Sequence, residues 1–209
     1  MLNGPGKVAG LILAGGRARR MGTTEKTLLD LGGAPIMARI IGAVAGDVAW
    51  LAISANGDPA RFARFALPVL PDEAAWAGQG PLAGLCAGLA WAAGLGAEFL
   101  FTTPGDTPFV PSGLPAALAP APAYVTSGGR DHPLAALWPV SCRDELRRML
   151  AGSPSRGVAA FGRAIGSRRV VLAAVGADDP FLNVNTPEDL AAARRRIGRD
   201  PGGKASRGV

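Results

Sequence analysis

The stretch Leu11–Leu29, LILAGGRARRMGTTEKTLL, contains residue types that suit an anion lying against the main chain. An apolar run ends at Gly15 and Gly16, and arginines and then Lys26 follow. The glycines allow close backbone approach and positive φ, while the basic side chains supply charge. Lys26 stands out because only three of the 22 Lys and Arg residues are lysines. The pattern favours a phosphate group as ligand.

The spacing excludes two common phosphate loops. No G-x-x-x-x-G-K-[ST] string is present, since Glu25 precedes Lys26, and no G-x-G-x-x-G string follows the first apolar run. The pattern is instead L-A-G-G-x-A-x-R-M-G-x-x-x-K, with the lysine eleven positions after Gly15. Such a loop can wrap a triphosphate while the lysine neutralises charge that grows during displacement at the α-phosphate. Arg19 and Arg20 are further phosphate partners, with a solvated surface position as the alternative.

The apolar runs indicate the elements that must position this loop. They predict strands, most of them buried, at 7–14, 48–54, 97–103, 121–126, 134–140 and 169–175. The helix-like stretches begin at Pro35, at Pro81, after Ser141 as an N-cap, and after Thr186 as an N-cap with Pro187 next. Alternating strands and helices predict an α/β fold with a mostly parallel sheet, and YVTSGGRDHPLAALW adds an antiparallel excursion.

Four segments with polar or glycine residues follow predicted strands. They are the Gly15 loop, residues 54–58, Asp72 after the short extended LPVLP, and Asp106 after EFLFTT. Ligands of open parallel sheets lie beyond the carboxyl ends of the strands. We therefore expect these four segments to gather at one edge of the sheet.

Length and charge define the remaining expectations. A chain of 209 residues predicts a single domain, which we place at 1–197, with a basic, disordered tail at 198–209. Residues 194–209 carry six basic groups and one acid, which gives +5 of the net charge of +6. Because the rest of the chain is nearly neutral, we expect no nucleic-acid partner.

The cysteines and the amino terminus indicate the compartment. Cys86 and Cys142 have no spacing typical of zinc or a redox pair, and both fit a reducing cytoplasm. The first apolar run is too short and too rich in glycine for a signal peptide or a membrane span. We expect a cytoplasmic monomer without a membrane partner.

The string LAGGRARRMGTTEK resembles the signature of nucleotidyltransferases that handle the molybdenum cofactor, specifically the molybdenum cofactor guanylyltransferases. Four further segments agree with that family in the same order: PDEAAWAGQGPLAGL, FTTPGDTPFVP, GGRDHPLAALWP and FLNVNTPEDL. The resemblance ends after Arg196. The form Ala14-Gly15-Gly16 favours guanylyl transfer, because cytidylyl relatives more typically carry Ala-Ala-Gly at this point.

The resemblance implies a three-layer, Rossmann-like nucleotidyltransferase fold. It also implies transfer of GMP from GTP to the terminal phosphate of Mo-molybdopterin, with Mg²⁺ and with release of pyrophosphate. The alternatives are a cytidylyl- or sugar-nucleotidyltransferase of the same superfamily and a non-catalytic nucleotide-binding module. Molybdoenzyme apoproteins or cofactor-insertion chaperones are further partners that the family implies.

The resemblance assigns the nucleotide side of the site. Lys26 and Asp106 are the catalytic candidates, and Asp106, in the sharp turn TPGDTP, suits a Mg²⁺ ligand, with an Asx-turn or helix cap as the alternative. The resemblance implies that Asp72 contacts the base, the ribose or the metal of the bound nucleotide, with a solvated acid in a turn as the alternative. The register gives Ser54 where the family can carry an asparagine, with Asn56 two residues on, so this contact is in doubt. Leu13, Ala14 and Gly15 are expected to hold the base and the ribose through their backbone groups and through the small size of their side chains.

The pterin side is assigned to three further residues. His132, the only histidine, could line the cleft or cap a turn, and no general base is needed because the acceptor phosphate is already ionised. Asn183 and Asn185 alternate in FLNVNTP, so their amides are expected to face one side and bind pterin or phosphate. Fixing a turn or capping the last helix is the alternative role for these asparagines.

Overall fold

A seven-stranded sheet forms the centre of the protein in the computed structural model, which describes residues 7–15, 25–152, 157–172 and 179–199. The strands in these ranges are β1 (Val8–Leu13), β2 (Trp50–Ser54), β3 (Val69–Leu70), β4 (Phe99–Pro104), β5 (Ala123–Ser127), β6 (Arg130–Pro139) and β7 (Arg168–Val171). Their order is β3-β2-β1-β4-β6-β5-β7. β6 runs antiparallel to β4 and β5, and the other neighbours pair in parallel.

Helices cover both faces of the sheet. They are α1 (Ile36–Val44), α2 (Pro81–Gly94), α3 (Leu114–Ala117), α4 (Arg143–Gly152), α5 (Val158–Ala164) and α6 (Pro187–Arg199). One buried apolar cluster holds residues of α1, α3 and α6, and a second cluster holds residues of α2, α4 and α5. Successive strand residues alternate between the clusters, with Ile12 in the first and Leu11 in the second. The three-layer α/β prediction is confirmed.

The predicted strands are all present within the described part of the chain. The sixth prediction, 169–175, corresponds to β7, and its residues 173–175 lie outside the described ranges. β7 is at the sheet edge and mostly exposed, so it is not one of the buried strands. Two short helices, α3 and α5, were not predicted, since neither is long enough to show a clear helical period.

The antiparallel excursion is the β5–β6 hairpin. Gly128 and Gly129 form its turn with φ of 55° and 74°. Two consecutive positive φ angles match the right-handed twist of paired strands, and glycine adopts them without steric strain. The prediction from the sequence is confirmed here.

Most helix starts agree with the sequence. Pro81 and Pro187 are the first residues of α2 and α6, and Thr186 Oγ1 accepts the Asp189 N–H at 3.1 Å, as an N-cap does. α1 begins one residue after Pro35. The N-cap role of Ser141 is wrong: this residue lies inside a short 3₁₀ turn that ends before α4 begins at Arg143.

The last helix bears on the predicted tail. α6 continues to Arg199, so residues 198 and 199 are helical, whereas 200–209 lie outside the described residues.

Within the described ranges, none of the helices combines the length and apolar character that crossing a membrane requires.

Candidate active site

A cavity of about 770 Å³ lies beyond the carboxyl ends of β1, β2 and β4. Its walls include representatives of all four segments that were expected to meet: Gly15, Ser54, Asp72 and Asp106. The parallel pairing of β1 with both β2 and β4 aligns the ends of these strands. The prediction that the segments gather at one sheet edge is confirmed.

Lys26 lies at the wall of this cavity, between two polar side chains. Its Nζ donates to Asp106 Oδ2 at 3.2 Å and to Asn185 Oδ1 at 2.5 Å. The Lys26 and Asp106 side chains are 12% and 22% exposed. Since partial burial strengthens electrostatic interactions, this ammonium is well placed to act on an anionic ligand. The Asp106 carboxylate pairs with Lys26, whereas the Gly113 N–H before α3 is bonded to Asp47, which disfavours the helix-cap alternative.

The turn that carries Lys26 packs closely against the end of β4. Thr27 is buried, and its Oγ1 donates to Glu25 Oε1 at 2.7 Å. A Cβ on Gly105 would lie 2.9 Å from Thr27 Cγ2 and 3.1 Å from the Leu13 carbonyl oxygen. Glycine at 105 therefore allows the end of β4, the end of β1 and the turn that carries Lys26 to approach one another. This approach brings Lys26 beside Asp106.

Asn185 is held in place by the cap of α6. Asp189 Oδ2 accepts the N–H groups of Asn185 and Thr186, each at 2.9 Å. Burial alone would raise the pKa of Asp189, but these hydrogen bonds, together with attraction to Lys26, lower it below its usual range. The Val184 N–H donates to the Asp106 carbonyl oxygen at 2.8 Å, which joins the two segments directly.

Asp72 and Asn56 form a reciprocal pair on another wall of the cavity. Asn56 Nδ2 donates to Asp72 Oδ2 at 2.7 Å, and the Asp72 N–H donates to Asn56 Oδ1 at 2.8 Å. The Gly78 N–H also donates to Asp72 Oδ2, at 3.3 Å. Asn56 lies two residues after Ser54, the position whose nucleotide contact was in doubt, and it is the partner that orients Asp72.

The first loop contributes shape and backbone to the cavity. The Ala14 N–H is bonded to the Ser54 carbonyl oxygen and the Leu13 carbonyl oxygen to the Gly105 N–H, both at 2.9 Å. Gly15 has no positive φ, so the backbone freedom that glycine allows is not used at this position, and among the described residues nothing lies within 4 Å of a Cβ built there. Gly15 lines the cavity wall. Gly16, Arg19 and Arg20 lie outside the described residues.

Ser54 is buried beneath the first turn of α2. A Cβ on Gly84 would overlap its Oγ, so Ser54 and the helix are in close contact. Gly80, Pro81 and Gly84 line the cavity, which places the amino-terminal end of α2 at its wall. The positive end of this helix dipole favours a bound anion.

The pterin-side candidates occupy three different environments. The His132 ring stacks on Phe181 with centroids 4.8 Å apart, and its buried Nε2 has no hydrogen-bond partner among the residues that the structure describes. Asn183 is exposed, whereas Asn185 is bonded to Lys26. The structure therefore brings only Asn185 to the Lys26–Asp106 pair.

Sequence reasoning gave no role to Glu25 or to Arg61. Arg61 Nε donates to Glu25 Oε2 at 3.1 Å, and Arg61 Nη2 donates to the Asn56 carbonyl oxygen at 2.6 Å. The only local signal was the turn sequence Asn56-Gly57-Asp58-Pro59 directly after β2, which indicates a tight turn but not its partner.

The described residues contain no group of three or more His, Cys, Asp and Glu side chains that could hold a metal ion. Cys86 and Cys142 are free and buried.

Comparison with known proteins agrees with this geometry. The family model described as a MobA-like NTP transferase domain matches residues 10–156. A molybdenum cofactor guanylyltransferase of Acidiphilium cryptum is 50% identical over 183 residues, covering 88% of this chain and 92% of that protein. The guanylyltransferase of Rhodobacter capsulatus is 49% identical over 195 residues, covering 91% and 97%.

Solved structures show the same fold at low identity. Molybdopterin-guanine dinucleotide biosynthesis protein A of Archaeoglobus fulgidus has a TM-score of 0.69 at 20% identity, covering 91% of this chain and 99% of that one. A 4-diphosphocytidyl-2C-methyl-D-erythritol synthase of Anaerococcus prevotii has a TM-score of 0.68 at 13% identity, covering 93% and 97%. The family model and the sequence relatives show that the chain belongs to the MobA-like NTP transferases and, within them, to the molybdenum cofactor guanylyltransferase family.

Proposed function

We propose that the protein transfers GMP from GTP to the terminal phosphate of Mo-molybdopterin, forming molybdopterin guanine dinucleotide and pyrophosphate. The observation that carries the proposal is the Lys26–Asp106 pair on the wall of a cavity that Asp72 also lines. A phosphate-binding cation and a nucleotide-binding carboxylate in one cavity suit a nucleoside triphosphate. Family membership supplies the acceptor.

The reaction is an in-line displacement at the α-phosphorus of GTP. An oxygen of the acceptor phosphate forms the new P–O bond, while the bond from the α-phosphorus to the bridging oxygen of the β-phosphate breaks and pyrophosphate leaves with that electron pair. The Lys26 ammonium stabilises negative charge on the transferring group, and the dipole of α2 adds to that field. The acceptor phosphate is ionised at neutral pH, so no side chain has to remove a proton.

Asp106 fits a Mg²⁺ ion. Proteins usually bind Mg²⁺ through one or two carboxylates, while waters and substrate phosphates complete an octahedron, and Asp106 presents one partly exposed carboxylate at the cavity. The ion would offset charge on the triphosphate. When phosphate enters, Lys26 can turn from Asp106 toward it and keep its hydrogen bond to Asn185.

The nucleotide is held between the Lys26–Asp106 pair and the Asn56–Asp72 pair. Asp72, oriented by Asn56, offers an acceptor to the base or ribose. Leu13, Ala14 and Gly15 form the wall against which the nucleoside packs. His132 and Asn183 stay assigned to the pterin side.

The protein acts as a cytoplasmic monomer in this proposal. Its substrates are GTP and Mo-molybdopterin, and molybdoenzyme apoproteins or cofactor-insertion chaperones would receive the product.

Transfer of radiolabel tests the proposal. Purified protein is incubated with Mo-molybdopterin and either [α-³²P]GTP or [α-³²P]CTP, and labelled dinucleotide cofactor is separated from nucleotide. Label transfer from GTP supports the proposal. Exclusive use of CTP would favour the cytidylyltransferase alternative, and binding of GTP without transfer would favour a non-catalytic nucleotide-binding module.

A further inference from the structure

Arg61 connects two segments of the cavity through all three nitrogens of its guanidinium group. The residue lies in the 3₁₀ turn Pro59–Phe65 that follows β2. Its Nε donates to Glu25 Oε2 at 3.1 Å, its Nη1 to the Asp58 carbonyl oxygen at 2.8 Å, and its Nη2 to the Asn56 carbonyl oxygen at 2.6 Å. The planar arrangement of these donors fixes the direction of each bond, which a lysine could not reproduce.

The ion pair is substantially buried. The Glu25 and Arg61 side chains are 11% and 27% exposed. Desolvation of buried charges offsets much of their attraction, so a pair of this kind is weak evidence for a role in stability. It does fix the relative position of the two segments that carry the charges.

The Glu25 end of this pair adjoins the phosphate side of the cavity. Glu25 precedes Lys26, and its Oε1 accepts a hydrogen bond from Thr27 Oγ1, so the carboxylate holds both flanks of the lysine turn. Thr27 in turn packs against Gly105, next to Asp106. A shift of Glu25 would therefore move Lys26 relative to Asp106.

The Arg61 end adjoins the nucleoside side. Arg61 holds the carbonyl oxygens of Asn56 and Asp58, and the Asn56 side chain forms its two hydrogen bonds with Asp72. A continuous chain of polar contacts thus runs from Asp72 through Asn56, Arg61 and Glu25 to the turn that carries Lys26.

We infer that the Glu25–Arg61 pair sets the separation between the nucleoside end and the phosphate end of the cavity, which makes Arg61 a positioning residue for the nucleoside triphosphate. The inference rests on the proposed function, because it takes the triphosphate to span from Asp72 to Lys26. Without the pair, each end still binds its own part of the nucleotide. The advantage of binding both parts at once is lost, because the two ends no longer match the length of the ligand.

Four variants and one control test the inference. Arg61→Met and Arg61→Gln remove the guanidinium, Glu25→Gln removes the opposite charge, and the double variant Glu25→Gln/Arg61→Met removes both. Arg64→Met is the matched control, since Arg64 lies in the same 3₁₀ turn and is exposed. Circular dichroism shows whether each variant is folded. If Arg61→Met does not fold, the inference is tested with Arg61→Gln and Glu25→Gln.

The measurements are kcat/KM for GTP and the inhibition constants of guanosine and of tripolyphosphate. In Arg61→Met we expect kcat/KM to fall about tenfold or more, while both inhibition constants change less than twofold. The double variant should lose no more than either single variant, because the two residues act as one unit. Arg64→Met should match the wild type.

Three results would overturn the inference. They are an unchanged kcat/KM in a folded Arg61→Met variant, losses that multiply in the double variant, and weakening of guanosine or tripolyphosphate binding as large as the loss for GTP. A wild type that uses CTP instead would refute the proposed function alone, since the pair is then tested in the same way with CTP and cytidine.

Discussion

Lys26 Nζ donates a hydrogen bond to Asn185 Oδ1 at 2.5 Å, although the two residues are 159 positions apart in the chain. This contact joins the end of the first loop to the cap of the last helix, where Asp189 accepts the Asn185 N–H. It places Asn185 beside Lys26, the candidate phosphate-binding lysine, whereas the sequence pattern predicted the same environment for Asn185 and Asn183. We therefore expect Asn185 to hold the Lys26 ammonium in position for the α-phosphate.

Replacement of the two asparagines should separate their roles. Asn185→Ala removes an acceptor that is bonded to a charged group, so turnover with GTP should fall about tenfold. Asn183→Ala serves as the matched control because its side chain is exposed, and its kcat/KM for GTP should stay within twofold of the wild type. Steady-state kinetics at varied GTP and at varied molybdopterin measure both effects. Equal losses in the two variants would contradict the role given to Asn185.

Lys26→Met should leave the fold intact and reduce turnover by about 10²–10³, because charge on the transferring phosphate is no longer compensated. Lys7→Met is a suitable control: Lys7 is also paired with a carboxylate, that of Glu98, but on the exposed surface. Single-turnover transfer from labelled GTP measures the chemical step. A folded Lys26→Met protein with wild-type turnover would remove Lys26 from the mechanism.

Asp106→Asn tests the metal ligand. The amide keeps nearly the same shape but loses the charge, so a higher Mg²⁺ concentration should be needed for half-maximal activity. Asp58→Asn provides a control, since Asp58 is an exposed residue that caps the 3₁₀ turn after β2. Superimposable Mg²⁺ titrations for Asp106→Asn and the wild type would show that Asp106 does not bind the ion.

Local patterns in the sequence were sufficient to predict much of this site. Apolar runs located the strands, and the rule that ligands bind beyond the carboxyl ends of parallel strands brought Gly15, Asp72 and Asp106 to one cavity. The N-cap at Thr186 followed from side-chain chemistry within a single turn. Each of these predictions depends on residues close in sequence or on a general property of sheets.

Contacts between distant residues could not be predicted in this way. The Lys26–Asn185 hydrogen bond and the Glu25–Arg61 pair depend on how the loops pack at the end of the sheet. Arginine is also frequent in this chain, so Arg61 carried no distinguishing signal. The sequence also could not show which glycines adopt a positive φ: Gly15 does not, whereas Gly128 and Gly129 in the β5–β6 turn do.

The cap of α6 should make stability depend on pH in the acid range. Hydrogen bonds from Asn185 and Thr186, with attraction to Lys26, lower the pKa of Asp189 in the folded protein despite the opposing effect of burial. A lowered pKa contributes stability that is present above the unfolded value of about 3.9 and is lost as the pH falls through the lower, folded value. Asp189→Asn keeps a hydrogen-bond acceptor but removes this charge, so it should be less stable than the wild type at pH 7 by about 0.5 kcal/mol.

Urea denaturation of both proteins between pH 7 and pH 3 measures this difference. It should stay constant down to about pH 5 and shrink below about pH 4, where the carboxyl group of the unfolded wild type takes up its proton. Glu188→Gln is the matched control, because Glu188 is exposed in the same first turn of α6 and is expected to change stability less. A difference between Asp189→Asn and the wild type that grows as the pH falls would have the wrong sign for a lowered pKa, and would show that the charge of Asp189 does not stabilise the segment that holds Asn185 against Lys26.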